Sequence, residues 1–291
     1  MRRVDSCPAC GSTRSRTVVR ADSAQRERFL EYSRLKYSGV MDAWLDDLHL
    51  EVVACLDCGH HWYREQPDEA QLIAMYDASR SFFMDTPVER VPGQRIVQDV
   101  RRLRTLLPRR TNPGFLDFGS GYGRWARAAV DAGFDVTAYE PSISRGADDA
   151  APFKVVHDLD ALESLRFPVI NLEQVLEHVS DPLSVLKSVQ RLCAPGAVVR
   201  ISVPNIHRSH EGDTLWADWP YSGWCVHSMA PFEHLHGFTP RSLRMLLKRA
   251  GYRPLRTLRA LYSHPDILVR GVAGYFVPRI ANTSVLMTVA R

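Results

Sequence analysis

The sequence predicts an α/β fold with a doubly wound, mostly parallel sheet, preceded by a small cysteine-bearing unit. From about residue 113 onward, short apolar segments typical of strands alternate with segments of helical periodicity, and the links between them are short. Before residue 67, two Cys-x-x-Cys pairs enclose a stretch with apolar residues at helical spacing. We therefore divide the chain into an N-terminal unit at residues 1–66, linking helices at residues 67–112 and a main domain at residues 113–291.

Length and composition are those of a globular protein. The 291 residues, 45% of them hydrophobic, suffice for one large α/β domain with a small accessory unit. The formal net charge of +4 is mild and does not require a nucleic-acid partner. The N-terminal residues lack the apolar segment of a signal peptide, and no stretch of about 18 apolar residues suggests a membrane span. We therefore expect a cytoplasmic protein without a membrane partner.

Local patterns define the individual elements. Apolar segments bounded by Gly, Pro or Asp predict strands, and a single apolar face, often with Pro or a capping residue at the start, predicts helices. We predict strands at 50–55, 115–118, 135–140, 154–157, 167–172, 197–203, near 254–262 and near 284–290. We predict helices at 24–32, 41–48, 67–76, 94–107, 123–132, 181–192 and 239–251. Cys193 and Cys225 lie outside the two cysteine pairs, and we predict that Cys193 lies in an apolar helix of the core.

A glycine-rich turn follows the first strand of the main domain. The strand contains Asp117, and Gly119, Gly121 and Gly123 lead into a helix. Glycines permit a tight turn and let the backbone approach a ligand closely. The Gly-x-Gly-x-Gly spacing differs from the Gly-x-Gly-x-x-Gly of dinucleotide sites, and a preceding acid would repel a pyrophosphate but can receive an ammonium group. Glu140, at the end of the next strand, can hold both hydroxyls of a ribose. The alternative is a tight turn that binds no ligand.

These motifs resemble those of class I S-adenosylmethionine-dependent methyltransferases over about residues 67–291. The matching segments are 116–123, 138–141, 175–182, 194–205 and 233–240. The last three are similar to the small-molecule branch, which contains sugar, polysaccharide and natural-product methyltransferases. The resemblance implies S-adenosylmethionine as the cofactor and a seven-stranded Rossmann-like sheet whose last strand runs antiparallel.

The resemblance also implies a set of cofactor-binding residues. It assigns the methionyl part to Asp117, Gly119 and Gly121, the ribose to Glu140, the adenine to Asp158 and Leu159, and the sulfonium end to Glu173 and Gln174. Asp160 is an alternative acid to Asp158. Phe118 and Pro141, inside the matching motifs, complete the set together with Tyr76, which with Phe82 and Phe83 would close over the cofactor from the other side.

The two cysteine pairs predict a metal site. In Cys7-Pro-Ala-Cys10 and Cys55-Leu-Asp-Cys58, each two-residue gap bends the chain so that both sulfurs face one point. Four thiolates make a closed tetrahedral zinc site, whose role would be structural. A redox pair or free thiols are alternatives, and His60 or His61 could replace one cysteine. A similar zinc-bearing unit occurs in some sugar C-methyltransferases and some ribosomal-RNA methyltransferases.

Methyl transfer to a hydroxyl or a carbon requires the removal of a proton, so the candidate catalytic residues are side chains that can act as a base. Histidine is the natural base near neutral pH. His178 follows the fourth strand, and Glu233 and His234 lie in the segment after the fifth strand. In the similar sugar C-methyltransferases, corresponding positions take part in proton removal, which implies the same roles here. His178 could instead cap the following helix.

An aromatic and histidine-rich segment occupies residues 206–238. Such a long segment without clear periodicity is uncommon unless it is functional. We predict a lid that stacks on a sugar ring or an aromatic substrate, and a dimer contact or a packed loop is the alternative. Its distinguishing residues are His207, His210, Trp216, Trp219, Tyr221, Trp224, His227, Phe232, His234, His236 and Phe238.

The leading functional hypothesis is a methyltransferase of biosynthesis that acts on a hydroxyl or carbon of a sugar or natural-product intermediate, with a histidine base. The alternatives are an RNA methyltransferase with a zinc-bearing recognition unit, a non-catalytic scaffold that binds a partner, and an NAD-dependent oxidoreductase. We expect a small-molecule acceptor and no nucleic-acid partner, and we leave a homo-oligomer open.

Overall fold

The computed structural model describes residues 1–45, 49–78, 91–107, 112–144, 151–206, 221–222, 225–226, 229–255 and 282–289. Phe82, Phe83 and part of the predicted strand near 254–262 lie outside these residues, as do many residues of the predicted lid: His207, His210, Trp216, Trp219, Trp224 and His227. In the described part of the chain, no helix has the length and apolar character needed to cross a membrane.

The N-terminal unit and the linking helices supply the first elements. They are β1 (Arg2–Arg3), β2 (Ser15–Arg20), α1 (Ser23–Tyr37), α2 (Asp42–Leu45), β3 (Glu51–Cys55), β4 (His61–Tyr63), β5 (Glu65–Gln66), α3 (Glu69–Ala78) and α4 (Gln94–Thr105). Helix α1 begins where the Asp22 carboxylate accepts a hydrogen bond from the Gln25 N–H and the Gln25 side chain accepts one from the Asp22 N–H. This capping box lies upstream of the predicted start, and the helix extends past the predicted end at residue 32.

The main domain supplies the remaining elements. They are β6 (Gly114–Phe118), α5 (Arg124–Asp131), β7 (Asp135–Tyr139), β8 (Lys154–Val156), β9 (Phe167–Glu173), α6 (Pro182–Arg191), β10 (Cys193–Pro204), β11 (Tyr221–Ser222), β12 (Cys225–Val226), β13 (His236–Gly237), α7 (Pro240–Arg249), β14 (Tyr252–Pro254) and β15 (Asn282–Val289). The predicted N-cap residues Asp181 and Thr239 begin α6 and α7. One prediction is wrong: Cys193 is the half-buried first residue of β10, because α6 ends before it.

The seven-stranded, mostly parallel sheet that the sequence and the resemblance imply is confirmed. Its order is β14-β15-β10-β9-β6-β7-β8, and β15 runs antiparallel to both of its neighbours. The chain builds outward from β6 to β8 and then returns to place β9 on the other side of β6. This reversal is the point at which open α/β sheets bind ligands, beyond the carboxyl ends of the strands.

A second sheet joins the N-terminal unit to the main domain. Its order is β13-β4-β3-β2, and β13 pairs with β4 through His236 opposite Trp62 and Gly237 opposite His61. Strands β2, β4 and β13 are too short or too irregular for their patterns to predict them. One apolar core lies behind this sheet and combines α1 residues such as Phe29 with residues of the segment that precedes β13. The predicted boundary at residue 66 is therefore crossed by a shared sheet and a shared core.

Candidate functional site

The glycine turn between β6 and α5 adopts a conformation that favours glycine. Gly119, Gly121 and Gly123 have φ angles of 73°, 50° and 77°. The N–H groups of Gly119 and Ser120 donate to the Tyr139 carbonyl at 2.8 and 3.0 Å. A Cβ atom on Gly119 would lie 2.7 Å from Val175 Cγ2, whereas one on Gly121 would meet nothing within 4 Å. The turn is therefore packed against the chain at Gly119 and open at Gly121.

Glu140 faces this turn from the residue after β7. Its carboxylate is 9% exposed and accepts hydrogen bonds from the Gly121 N–H at 2.9 Å and the Ser142 N–H at 3.1 Å. The His157 Nδ1 group donates to the Glu140 carbonyl at 2.7 Å. The structure thus brings together three residues predicted to bind the cofactor: Gly119, Gly121 and Glu140.

Asp117 lies beneath the turn rather than in it. Its carboxylate is 2% exposed and accepts hydrogen bonds from the Ala126 N–H at 3.0 Å and the Asn171 side-chain amide at 2.9 Å. Burial raises the pKa of Asp117 to about 7, against the lowering effect of these two hydrogen bonds. In this position Asp117 ties the start of α5 to β9 and so supports the turn from inside the fold.

A buried arginine extends this row of side chains across the sheet. Asp117, Asn171 and Arg200 are register neighbours on β6, β9 and β10. Arg200 is fully buried, and its Nη1 donates to Asn171 Oδ1 at 3.0 Å and to Glu173 Oε2 at 2.5 Å. Its guanidinium carbon lies 4.0 Å from the centre of the Trp125 ring, and its Nη2 is 3.6 Å from Asp99 Oδ2. Sequence reasoning missed Arg200, although an arginine inside an apolar strand is itself a signal.

The end of β9 combines strained backbone with an unpartnered polar group. Gln174 has a φ of 55°, which is rare for a residue with a side chain and is concentrated at functional sites. Its side-chain Nε2 is buried and makes no hydrogen bond within the described residues, and the same holds for Ser120 Oγ in the turn. The adjacent Glu173 is held by Arg200. Two orphaned polar groups therefore lie in the predicted cofactor-binding segments.

The remaining predicted cofactor residues lie near the same edge of the sheet. The Phe118 ring packs 4.7 Å from the Tyr139 ring, and Pro141 is half-buried. Asp158 is exposed, and its carboxylate accepts a hydrogen bond from the Asp160 N–H at 3.0 Å. Asp158 therefore begins a separate local turn that follows β8. Leu159 packs partly against the main core. Tyr76 extends from α3, and its hydroxyl lies 2.8 Å from His178 Nδ1.

The predicted catalytic histidines lie side by side. The rings of His178 and His234 are 4.7 Å apart at an angle of 62°, and Tyr76 Oη lies 2.8 Å from His178 Nδ1. Glu177, which sequence reasoning missed, is fully buried beside them with its Oε1 3.9 Å from His178 Nε2. Neither Glu177 oxygen accepts a hydrogen bond from the described residues, and burial raises the pKa of this carboxyl well above its ordinary value.

The Glu233 side chain is turned toward the N-terminal unit. Its Oε1 accepts hydrogen bonds from the Lys36 ammonium at 2.5 Å and the Tyr32 hydroxyl at 3.0 Å. Burial alone would raise the pKa of Glu233, but Lys36 keeps it below the ordinary value. The Glu233 carbonyl accepts a hydrogen bond from His178 Nδ1. Glu233 therefore links α1 to the histidine cluster, and neither Lys36 nor Tyr32 was predicted.

The four paired cysteines converge, as their spacing predicts. The Sγ atoms of Cys7 and Cys58 are 3.6 Å apart, those of Cys10 and Cys55 are 3.5 Å apart, and all four lie within 4.8 Å of one another. Tetrahedral zinc with sulfur at about 2.3 Å requires separations of this size. The chemistry and spacing of the thiols therefore fit a zinc ion. The two histidines predicted as alternative ligands form hydrogen bonds elsewhere: the His60 ring with the His236 ring, and the His61 ring with the Gly59 carbonyl.

Comparison with known proteins identifies the main domain. Residues 92–257 match the family described as methyltransferase domain. No curated protein matches the chain. Among solved structures, an S-adenosylmethionine-dependent methyltransferase from Mesorhizobium loti is 19% identical with a TM-score of 0.41, over 64% of this chain and 94% of that chain.

Two further solved structures cover more of the chain. The 1,6-didemethyltoxoflavin-N1-methyltransferase of Burkholderia thailandensis, solved with bound 1,6-didemethyltoxoflavin and S-adenosylhomocysteine, is 16% identical with a TM-score of 0.49. The match covers 81% of this chain and 98% of that chain. The [4+2]-cyclase SpnF is 17% identical with a TM-score of 0.45, over 77% of this chain and 97% of its own.

Proposed function

Because the chain belongs to the methyltransferase domain family, we propose that it transfers a methyl group to a hydroxyl or a carbon of a small molecule, a sugar or a natural-product intermediate. The enzyme is an S-adenosylmethionine-dependent methyltransferase. One observation carries the proposal. The Val175 side chain contacts the glycine turn at Gly119. Val175 lies in the same short segment as His178, so the glycine turn and the two histidines are neighbours.

The residues of the turn fit the methyl donor. Gly121 leaves open space where a side chain would stand, and the orphaned Ser120 hydroxyl and Gln174 amide are polar groups for a ligand to satisfy. In this proposal the glycine turn, with Asp117 beneath it, holds the methionyl part, and Glu140 holds the ribose. Asp158 and Leu159 flank the adenine, and Gln174 lines the sulfonium end. Glu173, Phe118, Pro141 and Tyr76 complete the lining. Bound S-adenosylmethionine supplies an electrophilic methyl group.

The histidine cluster is suited to remove the acceptor proton. A carbonyl oxygen can only accept, so in this proposal His178 Nδ1 carries a proton and donates it to the Glu233 carbonyl. The Nε2 atom of neutral His178 is then unprotonated and is the base in this proposal. His234 is in ring contact and forms the second base candidate. The Glu177 carboxyl lies 3.9 Å from His178 Nε2, and the positive charge of the imidazolium would favour the ionised form of this carboxyl.

The four cysteines hold a structural zinc ion in this proposal. Four thiolates leave no coordination position open for catalysis. The site is clamped onto α7, because the Thr239 hydroxyl donates to the Cys58 carbonyl at 3.1 Å and Arg249 Nη1 donates to the carbonyls of Pro8 and Ala9, both at 3.0 Å. The zinc would thereby support the attachment of the N-terminal unit to the main domain.

A turnover screen tests the proposal. We expect S-adenosylhomocysteine to form in the presence of a nucleotide sugar or a natural-product intermediate. His178→Ala and His234→Ala should lower turnover by about 100-fold or more while cofactor affinity stays unchanged. His49→Ala, at an exposed histidine, is the control.

Three outcomes would contradict parts of this proposal. Full turnover by both histidine variants would remove the base assignment. Methyl transfer to RNA alone, with the steep salt dependence of phosphate contacts, would replace the substrate class. A second tightly bound metal ion per chain would mean that Glu177, His178 and His234, which could together hold one, act as ligands instead of as a base.

A further inference from the structure

The N-terminal helix α1 makes a buried ionic contact with the segment before β13. Lys36, in the last turn of α1, has a side chain that is 14% exposed, and its partner Glu233 is 10% exposed. The Lys36 ammonium lies 2.5 Å from Glu233 Oε1 and 2.8 Å from the Tyr32 hydroxyl, which donates to the same carboxylate oxygen at 3.0 Å. This closed arrangement of three groups shields the ion pair from water, so its attraction is only weakly screened.

The backbone around Glu233 is constrained as well. Phe232 has a φ of 62°, an unusual value for a residue with a Cβ atom, and its buried ring packs against Phe29 of α1 at 5.3 Å. Such a conformation persists only where the surroundings hold it. Helix α1 supplies two of these restraints, one through the Phe29 ring and one through the Lys36 ammonium.

The constrained backbone presents one carbonyl to the histidine cluster. The Glu233 oxygen accepts from His178 Nδ1, and the Tyr76 hydroxyl lies 3.4 Å from the same oxygen. The hydrogen bond made by one ring nitrogen determines which nitrogen carries the proton in neutral imidazole. The position of the Glu233 carbonyl therefore favours the form of His178 that has its proton on Nδ1.

We propose that Lys36 is a positioning residue for His178, although it contacts neither the base nor the cofactor-binding turn in the described contacts. Through the Glu233 carboxylate, Lys36 holds the carbonyl that keeps His178 in the tautomer with its proton on Nδ1. The cysteine-bearing unit is thereby part of the acceptor site and not only an appendage. The catalytic consequence rests on the proposed function of His178 as base, but the effect on the tautomer does not.

The test reads the tautomer directly in the full-length, metal-loaded protein. Long-range proton–nitrogen correlation spectra of histidine side chains distinguish the Nδ1–H form from the Nε2–H form. We expect the parent His178 to be in the Nδ1–H form. Lys36→Met should convert a large fraction to the Nε2–H form, and Lys36→Arg, which keeps the charge, should retain the parent tautomer.

A matched control comes from the same helix turn. Arg34 is the other basic residue at the end of α1, and its ion pair with Asp42 at 3.1 Å is exposed and does not include Glu233. Arg34→Met should leave the His178 tautomer unchanged. If Lys36→Met does not fold because Glu233 is left charged and buried, the double variant Lys36→Met/Glu233→Gln removes both charges and still lacks the tether. It should also lose the Nδ1–H form.

Activity provides the second readout once an acceptor is known. Lys36→Met should lower kcat at least tenfold and leave the dissociation constant of S-adenosylhomocysteine unchanged. An unchanged Nδ1–H signal in a folded Lys36→Met or double variant would overturn the proposal. Absence of turnover with every acceptor would count against the proposed function alone, because the tautomer measurement requires no acceptor.

Discussion

The Gly121 N–H donates a hydrogen bond of 2.9 Å to the Glu140 carboxylate, which joins the glycine turn after β6 to the end of β7. The two residues follow the neighbouring parallel strands β6 and β7, near the switch point of the sheet. A carboxylate oxygen has more than one lone pair, so Glu140 can serve the turn and a ribose hydroxyl together. The same residue can therefore shape the turn and recognise the ligand.

Gly119→Ala should damage this turn. A side chain at a φ of 73° is strained, and the new Cβ atom would lie 2.7 Å from Val175 Cγ2. We expect a loss of about 2 kcal/mol or more in the free energy of unfolding, from backbone strain and overpacking together. Urea denaturation measures it, and the affinity for S-adenosylhomocysteine should fall as well.

Gly133→Ala is the control for strain alone. Gly133 has a φ of 79°, but a Cβ atom there would meet nothing within 4 Å. Gly133→Ala should lower the free energy of unfolding by about 1 kcal/mol and leave cofactor affinity intact. The double variant Gly119→Ala/Val175→Ala should recover part of the lost affinity. Equal effects of Gly119→Ala and Gly133→Ala on both stability and affinity would contradict the close packing of the turn.

Cys55→Ser should release the metal of the four-cysteine site. We expect about one zinc ion per chain in the parent, since four converging thiolates form a closed site. The variant should lose it and unfold more readily in the N-terminal unit. Cys193→Ser is the control, because Cys193 is half-buried at the start of β10 and takes no part in the cluster. Unchanged zinc content in Cys55→Ser, measured by elemental analysis, would refute the site.

The sequence was a good guide to the main sheet, because its strands and helices have strong local patterns. The helix with Asp181 as its N-cap has both Pro at its first turn and a clear apolar face, and it is observed as α6. The strands β4 and β13 are too short to have a pattern, and they are stabilised by pairing with each other across the chain. Pairing between distant short segments leaves no local signal.

The candidate site was predictable only in part for the same reason. Gly119, Gly121 and Glu140 lie in contiguous motifs, and the structure joins them by hydrogen bonds. Lys36 and Arg200 owe their roles to partners that lie far away in the sequence. Lys36 lies in no recognised motif, and the matching segment that contains Arg200 does not reveal the partners of this residue, so the importance of both emerges only when α1 and β10 are placed beside their partners.

Arg200→Met should strongly destabilise the main domain. The substitution removes the positive charge that faces the carboxylates of Glu173 and Asp99. It also removes the hydrogen bond that Arg200 donates to Asn171 Oδ1. Removal of one partner from a buried charged group costs about 3–5 kcal/mol, which urea denaturation would detect. Arg253→Met, at an exposed position on β14, should change stability by less than about 0.5 kcal/mol. Similar stabilities for the two variants would show that the buried network contributes little.

Glu177→Gln should change the pH dependence of stability. Burial raises the pKa of Glu177 in the folded protein, so the folded state binds more protons than the unfolded state. The contribution of the protonated Glu177 carboxyl to stability is complete below the ordinary glutamate pKa. This contribution is lost as pH rises toward the higher pKa of the folded state. Relative to the parent, the variant should therefore gain stability as pH rises above the ordinary glutamate pKa, by up to about 1.4 kcal/mol for each pH unit until the folded-state pKa is reached. A constant difference between the two proteins over this range would mean that Glu177 is ionised throughout.

Calorimetric binding of S-adenosylhomocysteine tests the central claim most directly. The parent should bind one molecule per chain, and Glu140→Ala should weaken binding at least about tenfold, a loss of about 1.4 kcal/mol. Glu163→Ala, at an exposed acid away from the turn, should bind as the parent does. Absence of binding by the folded parent, or equal affinities of the parent and Glu140→Ala, would contradict the assignment of this turn to the methyl donor.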